Sequence, residues 1–206
     1  MAMKYLNIMV TDAVRRVQMH YYRHVTTIPD VPESDPLTEA EIEFILARDN
    51  FYLGTVNETG WPYIQHRGGP RGFLQVTNPT TLVFADYQGN RQLLSIGNLA
   101  VNNRVSLFMM DYPNLTRLKI LGHARVEDAK LHPDFAAQLT NSGMNARVER
   151  IVFIDVVSFD WNCPKYITPR FSLEEVEELT GPLNARMTQL ETELKAAKAE
   201  LGKPST

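Results

Sequence analysis

The feature that most constrains the fold is a change of hydrophobic period at Phe51. Upstream of it, apolar residues recur every three or four positions. Val14, Val17 and Tyr21 make one stripe, and Ile42, Ile45 and Leu46 make another; this is the spacing of one helix face. Downstream, short apolar runs separated by turn residues continue to about Phe159, the rhythm of strands joined by hairpins. Runs at 51–56 and 63–67 flank Asn57-Glu58-Thr59-Gly60, and runs at 73–76 and 81–85 flank Thr77-Asn78-Pro79-Thr80. Runs at 105–110 and 118–126 flank Pro113-Asn114, and 151–159 adds a last one. Five or six strands of this kind, mostly hairpin-linked, predict an antiparallel barrel with helices outside it.

The flanks follow local signals. A helix over 11–24 is capped by Thr11 or Asp12, and a loop rich in proline (Pro29, Pro32, Pro36) follows. Thr38-Glu39-Ala40-Glu41 has the form of a capping box opening a second helix, in which hydroxyl and carboxylate satisfy the first main-chain N–H groups. A short helix fits between Gln92 and Asn103. Near the end, Ser172 and Glu175 form another capping box, and Gly181-Pro182 is expected to stop that helix and start a new one running to about Leu201. In this last segment Leu183, Leu190 and Ala197 recur every seven residues, as do Met187, Leu194 and Leu201. The seam is shorter than the three or four heptads that define a coiled coil. A helix packed on its own barrel and a dimer-forming coil therefore both remain open. The organisation expected is helices over 1–50, a barrel over 51–171 and a helical extension over 172–206.

Composition removes several function classes. A net charge of −3 gives no basic excess for nucleic acid. No segment holds the roughly 20 apolar residues a membrane helix needs, and the first 24 residues lack a secretory leader's pattern. One cysteine, Cys163, rules out an internal disulfide and suits a reducing compartment, so the cytoplasm is expected. The five histidines (20, 24, 66, 123 and 132) are scattered without metal-ligand spacing, so no metal is expected. Nucleophile-elbow, Walker and dinucleotide-binding glycine motifs are absent.

Two segments carry chemistry. On a strand, Tyr63, Gln65 and Arg67 point one way while Ile64 and His66 point the other, and Gly68-Gly69 would let another group approach the main chain. The second segment, Phe84-Ala85-Asp86-Tyr87-Gln88-Gly89-Asn90-Arg91-Gln92, is a strand running into a glycine-containing turn. Such a turn presents N–H groups to a phosphate, and the planar fork of Arg91 adds two parallel donors. The competing reading of Arg67 is a salt bridge with Asp86 or another carboxylate.

In order along the chain, FYLGTVNETGWPYIQHRGGPRGFL, FADYQGNRQLLSIGNLAVNNRVSLFMMDY, RLKILGHARV and DWNCPKYITPRF resemble the pyridoxamine 5′-phosphate oxidase-like family, in its broad bacterial branch. The resemblance runs from about Phe51 to Phe171. It implies a mainly β fold, an FMN-binding split β-barrel with flanking helices and a C-terminal helix, working as a homodimer with FMN between subunits. It places Gln65, His66, Arg67, Gly68 and Gly69 on the strand beside the ribityl phosphate, and Ala85 and Asp86 where the main chain meets the flavin ring. Asn90, Arg91 and Gln92 fall where the family has a Ser-Arg-Lys phosphate cluster; the arginine is kept and amides stand beside it, with Arg67 or Arg117 to compensate. It implies that Lys119 faces the flavin pyrimidine edge, against the plain reading of a solvated strand lysine. Trp161 and Asn162 would contact the flavin from the partner subunit, and Arg170 matches a substrate-facing position. The C-terminal block departs from the Trp-Arg-Leu-Xaa-Pro pattern of the vitamin B6 oxidases, which argues against pyridoxamine phosphate as substrate. Cys163 reads as an unreactive thiol beside a proline turn in preference to a redox centre. The function implied is an FMN-dependent oxidoreductase with NAD(P)H as donor and a small-molecule substrate. The alternatives are a flavin-binding or sensing module without turnover, or a split barrel using F420 or haem.

Overall fold

The strand rhythm after residue 50 becomes seven strands in the computed structural model of the chain, which describes residues 3–28, 35–140, 147–161 and 164–201. They are β1 (Asn50–Val56), β2 (Pro62–Gly68), β3 (Gln75–Asn78), β4 (Thr81–Tyr87), β5 (Arg104–Asp111), β6 (Thr116–Asp128) and β7 (Val148–Trp161). They form one sheet in the order β2-β1-β5-β6-β7-β4-β3, and every neighbouring pair is antiparallel. The sheet is not closed by a ladder: β2 and β3 are its edges. It curls instead, so that β1 faces β4 across the interior. Phe51 lies 5.6 Å from Phe73 in a stacked pair and 5.4 Å from Phe84 edge-on. This is the antiparallel barrel that the strand pattern predicts, in the split form that the resemblance implies.

Alternation explains which residues fill it. β1 and β5 bury every second side chain, and Leu53, Leu82, Leu107, Met109, Ile120 and Ile154 form the main core. β4 reads as a nearly continuous apolar run because both its faces are covered. Val83 and Ala85 turn outward into a second cluster with Ala136, Leu139 and Ile151. At Gly122 the β6–β7 register shifts; a Cβ there would sit 2.7 Å from the Asp155 carbonyl oxygen, so the strands close up only because the residue is glycine.

The helices are α1 (Met3–Met9), α2 (Asp12–Tyr22), α3 (Glu39–Leu46), α4 (Leu94–Val101), α5 (Pro133–Leu139) and α6 (Leu173–Leu201), with a 3₁₀ turn at Ala129–Leu131. Thr11 caps α2, accepting from the Val14 N–H at 3.4 Å. The Thr38 N–H donates to Glu41 at 2.9 Å, and the Ser172 N–H donates to Glu175 at 2.8 Å.

Three expectations are corrected. The third strand is Gln75–Asn78 rather than 73–76, because Phe73 and Leu74 are spent on the core before the ladder begins. All seven apolar runs become strands, where five or six were expected to build the barrel; the shortest, β3, has four residues and pairs only with β4. The C-terminal segment is one helix running through Pro182. Proline there removes a single i→i−4 bond, the one to the Glu178 carbonyl, and Glu178 is exposed, so that carbonyl is open to solvent.

Candidate functional site: a basic crevice between β2 and the end of β4

Along β2 the exposure alternates as read from the sequence: Tyr63, Gln65 and Arg67 are half-buried, while Ile64, His66 and Gly68 are exposed. The inward set lines a crevice completed by the end of β4, the turn at 89–93, the first turn of α4 and the start of β7. Its volume is about 60 Å³, room for a few waters or one tetrahedral anion.

At its centre the Asp86 carboxylate, 5% exposed, is clasped by two arginines. Arg67 Nη1 donates to Oδ1 at 2.5 Å and Arg150 Nε donates to Oδ2 at 2.6 Å. Arg150 also reaches Glu149 at 3.0 Å. Burial works against the Arg150 charge, but the hydrogen bond and the attraction to Asp86, with Glu149 added, outweigh it and raise its pKa. The salt-bridge reading of Arg67 is thus what the chain shows. It does not exhaust the guanidinium: Arg67 Nε is buried and has no hydrogen-bond partner among the described residues. The guanidinium also lies 5.6 Å from the Phe84 ring centroid.

The turn after β4 supplies the remaining polar groups. Asn90 Oδ1 accepts from the Gln92 N–H at 3.1 Å. Arg91 and Leu93 both have left-handed backbone, φ 63° and 53°, a conformation that costs a non-glycine residue roughly 1 kcal/mol or more. Leu93 gives α4 no side-chain cap, so the first turn of α4 offers main-chain N–H donors at the crevice wall. Ser95 Oγ donates to Gln65 Oε1 at 2.7 Å, locking α4 onto β2. Arg67, Arg91 and Arg150 against Asp86 and Glu149 leave the lining with one positive charge in excess. Such a site can hold a phosphate with charge-assisted bonds.

Of the residues singled out in the sequence, the crevice gathers Gln65, Arg67, Asp86, Asn90, Arg91 and Gln92. His66 lies on the opposite face of β2, edge-on to Tyr52 at 5.6 Å. Gly69 lets the chain pass Phe73, whose Cβ would be 2.7 Å from a Cβ at this position, and Gly68 ends β2. The Ala85 side chain belongs to the second core cluster. Arg117 and Arg170 line a separate crevice of about 340 Å³ with Tyr52, Phe108 and Tyr166; Arg170 lies 5.0 Å from the Tyr112 ring centroid. Lys119 pairs with Asp160 at 2.9 Å and sits 4.6 Å from the Tyr5 ring centroid of α1. Trp161 Nε1 donates to Glu41 at 2.6 Å and meets Phe44 edge-on at 4.9 Å, away from both crevices. Asn162 and Cys163 fall outside the described residues. Sequence reading missed Arg150, Glu149 and Ser95. Arg150 carries no local signal: it faces Asp86 only through the β4–β7 register.

A curled, open antiparallel sheet with an anion-sized basic crevice beside β2 and β4 defines a split-barrel protein. Residues 37–156, more than half of the chain, match the family model described as pyridoxamine 5′-phosphate oxidase. The chain belongs to that family of flavin-binding split barrels. No curated protein matches. Among solved structures, HupZ from Group A Streptococcus is 14% identical with a TM-score of 0.47, covering 66% of this chain and 100% of that one. A protein related to general stress protein 26, from Clostridium acetobutylicum, is 14% identical with a TM-score of 0.47, covering 66% and 94%. An FMN-binding protein from Syntrophomonas wolfei is 11% identical with a TM-score of 0.40, covering 61% and 90%. Among the described residues no group of three or more His, Cys, Asp or Glu side chains could hold a metal ion, and no helix is long and apolar enough to cross a membrane.

Proposed function

We propose that this chain is an FMN-dependent oxidoreductase of the cytoplasm, a homodimer in which NAD(P)H reduces the flavin and a small molecule is the second substrate. The observation that carries the reading is the pair of arginines held on Asp86 beside the turn at 90–92, around a cavity sized for a phosphate. The residues fit that end of FMN. Arg67, Arg91 and Arg150 supply charge, Asn90 and Gln92 supply amide donors, and the buried Arg67 Nε is a donor still to be satisfied. When bound, FMN supplies hydride and electron transfer.

The chain's own part is to anchor and orient. Asp86 fixes the two guanidiniums before any anion arrives, so little side-chain freedom remains to be lost on binding. The cavity is too small for a ring system. Of the residues that the resemblance groups into one site, Gln65, Arg67, Asp86, Asn90, Arg91 and Gln92 line this crevice and Arg117 and Arg170 line the second; the others among the described residues line neither. A second copy that sets its Arg117–Arg170 crevice against the Arg67–Arg91 crevice of the first unites the two crevices, which is the basis for the homodimer.

The test is the absorbance of the purified protein, the mass of the ligand released on denaturation, and steady-state oxidation of NADH and NADPH. A two-band flavin spectrum, the mass of FMN and sustained turnover are expected. Colourless protein that takes up no added FMN, or a ligand with the mass of F420 or haem, would overturn the cofactor assignment. Bound FMN without turnover would leave a binding module and remove the enzyme.

A further inference from the structure

Helix α6 runs for 29 residues, about 43 Å at 1.5 Å per residue, and from Gly181 to Lys198 every residue is exposed. The reading in which it packs on its own barrel is therefore not what the chain shows. Its apolar residues nevertheless fall on one stripe: Leu183, Met187, Leu190 and Leu194 are 66%, 59%, 46% and 54% exposed, at alternating spacings of four and three that Ala197 continues. Upstream, Val176 and Thr180 extend the same stripe, and the Thr180 hydroxyl is satisfied by the Val176 carbonyl at 2.8 Å, so it leaves no unpaired donor in the seam. Gly181 and Pro182 fall between the stripe positions Thr180 and Leu183, on the side turned away from the seam. A lone helix with such a stripe is marginal in water, and its apolar face needs a cover.

We infer that α6 is one strand of a parallel, in-register two-stranded coiled coil formed with a second copy of this chain. The charges flanking the seam are self-complementary. With Met187 and Leu194 at a and Leu183, Leu190 and Ala197 at d, Arg186 and Glu193 take g positions and Glu191 and Lys198 take e positions. In a parallel pair each g residue meets the e residue five places on in the other helix. Arg186 then meets Glu191 and Glu193 meets Lys198, opposite signs in both cases and doubled by the two-fold symmetry. An antiparallel pair could also match charges, but it would hold the barrels at opposite ends of a rod about 40 Å long. The parallel orientation rests on the reading above, that two barrels share their crevices. It joins the two chains at a site separate from the barrels.

The test uses the full chain with Cys163, its one cysteine, replaced by serine, so that Ala197→Cys introduces the single thiol. In the parallel coil the two d-position thiols meet at disulfide distance, with Cα atoms about 6 Å apart. In the antiparallel alternative residue 197 packs against Thr180, and the two thiols are about 25 Å apart. Under mild oxidation at low micromolar protein, most of the chain should run as a covalent dimer on a non-reducing gel. Ala185→Cys, on the outward face, should cross-link at least tenfold more slowly. Glu193→Lys should slow the Ala197→Cys cross-link, and Glu193→Lys with Lys198→Glu should restore it. Equal rates at 197 and 185, or no dimer at 197, would overturn the inference. Flavin absorbance of the same samples separates the two readings. A cross-linked dimer that takes up no FMN sinks the flavin assignment and keeps the coil. An FMN-loaded protein that fails to cross-link does the reverse.

Discussion

Replacing Asp86 with asparagine tests the clasp at the centre of the crevice. The side chain is 5% exposed, and the arginines it holds, Arg67 and Arg150, are 17% and 19% exposed. Asparagine keeps the shape and removes the charge, leaving two largely buried cations side by side without their shared anion. Breaking a buried ion pair from one side costs about 3–5 kcal/mol; the partial exposure of both guanidiniums puts this case near about 3 kcal/mol. For a chain of this size that corresponds to a fall in Tm of roughly 6–12 °C. The same substitution raises the excess positive charge of the crevice from one to two, so an anion should now bind in place of the lost carboxylate. Thermal melts of parent and variant would be compared in phosphate and in chloride at equal ionic strength. Phosphate should recover a larger part of the variant's Tm than it adds to the parent. A variant that melts within about 2 °C of the parent, or an equal phosphate effect on both, would refute the reading that Asp86 positions cations for an anionic ligand.

Other substitutions probe neighbouring points. Arg91→Ala should leave the melt unchanged but weaken FMN retention by about 10- to 150-fold, the equivalent of about 1.5–3 kcal/mol for a charge-assisted contact; equal flavin content after dialysis would count against the site. Gly122→Ala should destabilise by about 1–3 kcal/mol, read by denaturant titration, because its Cβ would press on the Asp155 carbonyl oxygen at 2.7 Å and the Ile154 side chain at 2.8 Å. Burial raises the Glu41 pKa, but the Thr38 and Trp161 hydrogen bonds outweigh it and hold the pKa below its ordinary 4.5. A carboxylate lowered in this way contributes stability above its unfolded-state pKa and loses it as pH falls through the folded value. Glu41→Gln should therefore cost about 1–2 kcal/mol near neutrality. Its gap to the parent should close as the pH is taken below 4.5, and a gap constant with pH would show that the charge is irrelevant.

What the sequence determines by itself is local, because the signals it carries are periodicities and turn chemistry that act over a few residues. The alternation of Tyr63, Gln65 and Arg67 against Ile64 and His66 is legible because successive side chains on a strand point to opposite faces, and β2 shows it residue by residue. The capping pairs Thr38–Glu41 and Ser172–Glu175 are legible for the same reason, and so is the seven-residue recurrence in α6. The turn at Asn90-Arg91-Gln92 could be picked out from its composition, though not the left-handed backbone of Arg91. Tertiary structure alone decided which of these pieces meet. Asp86 joins Arg67, 19 residues upstream, and Arg150, 64 residues downstream, because β4 pairs with β7 and the sheet curls β2 back toward it. The same curl puts Arg117 and Arg170 in a different crevice and spends Lys119 and Trp161 on Asp160 and Glu41. Strand order depends on how a whole set of apolar faces closes on one core, and no short window of residues encodes that choice.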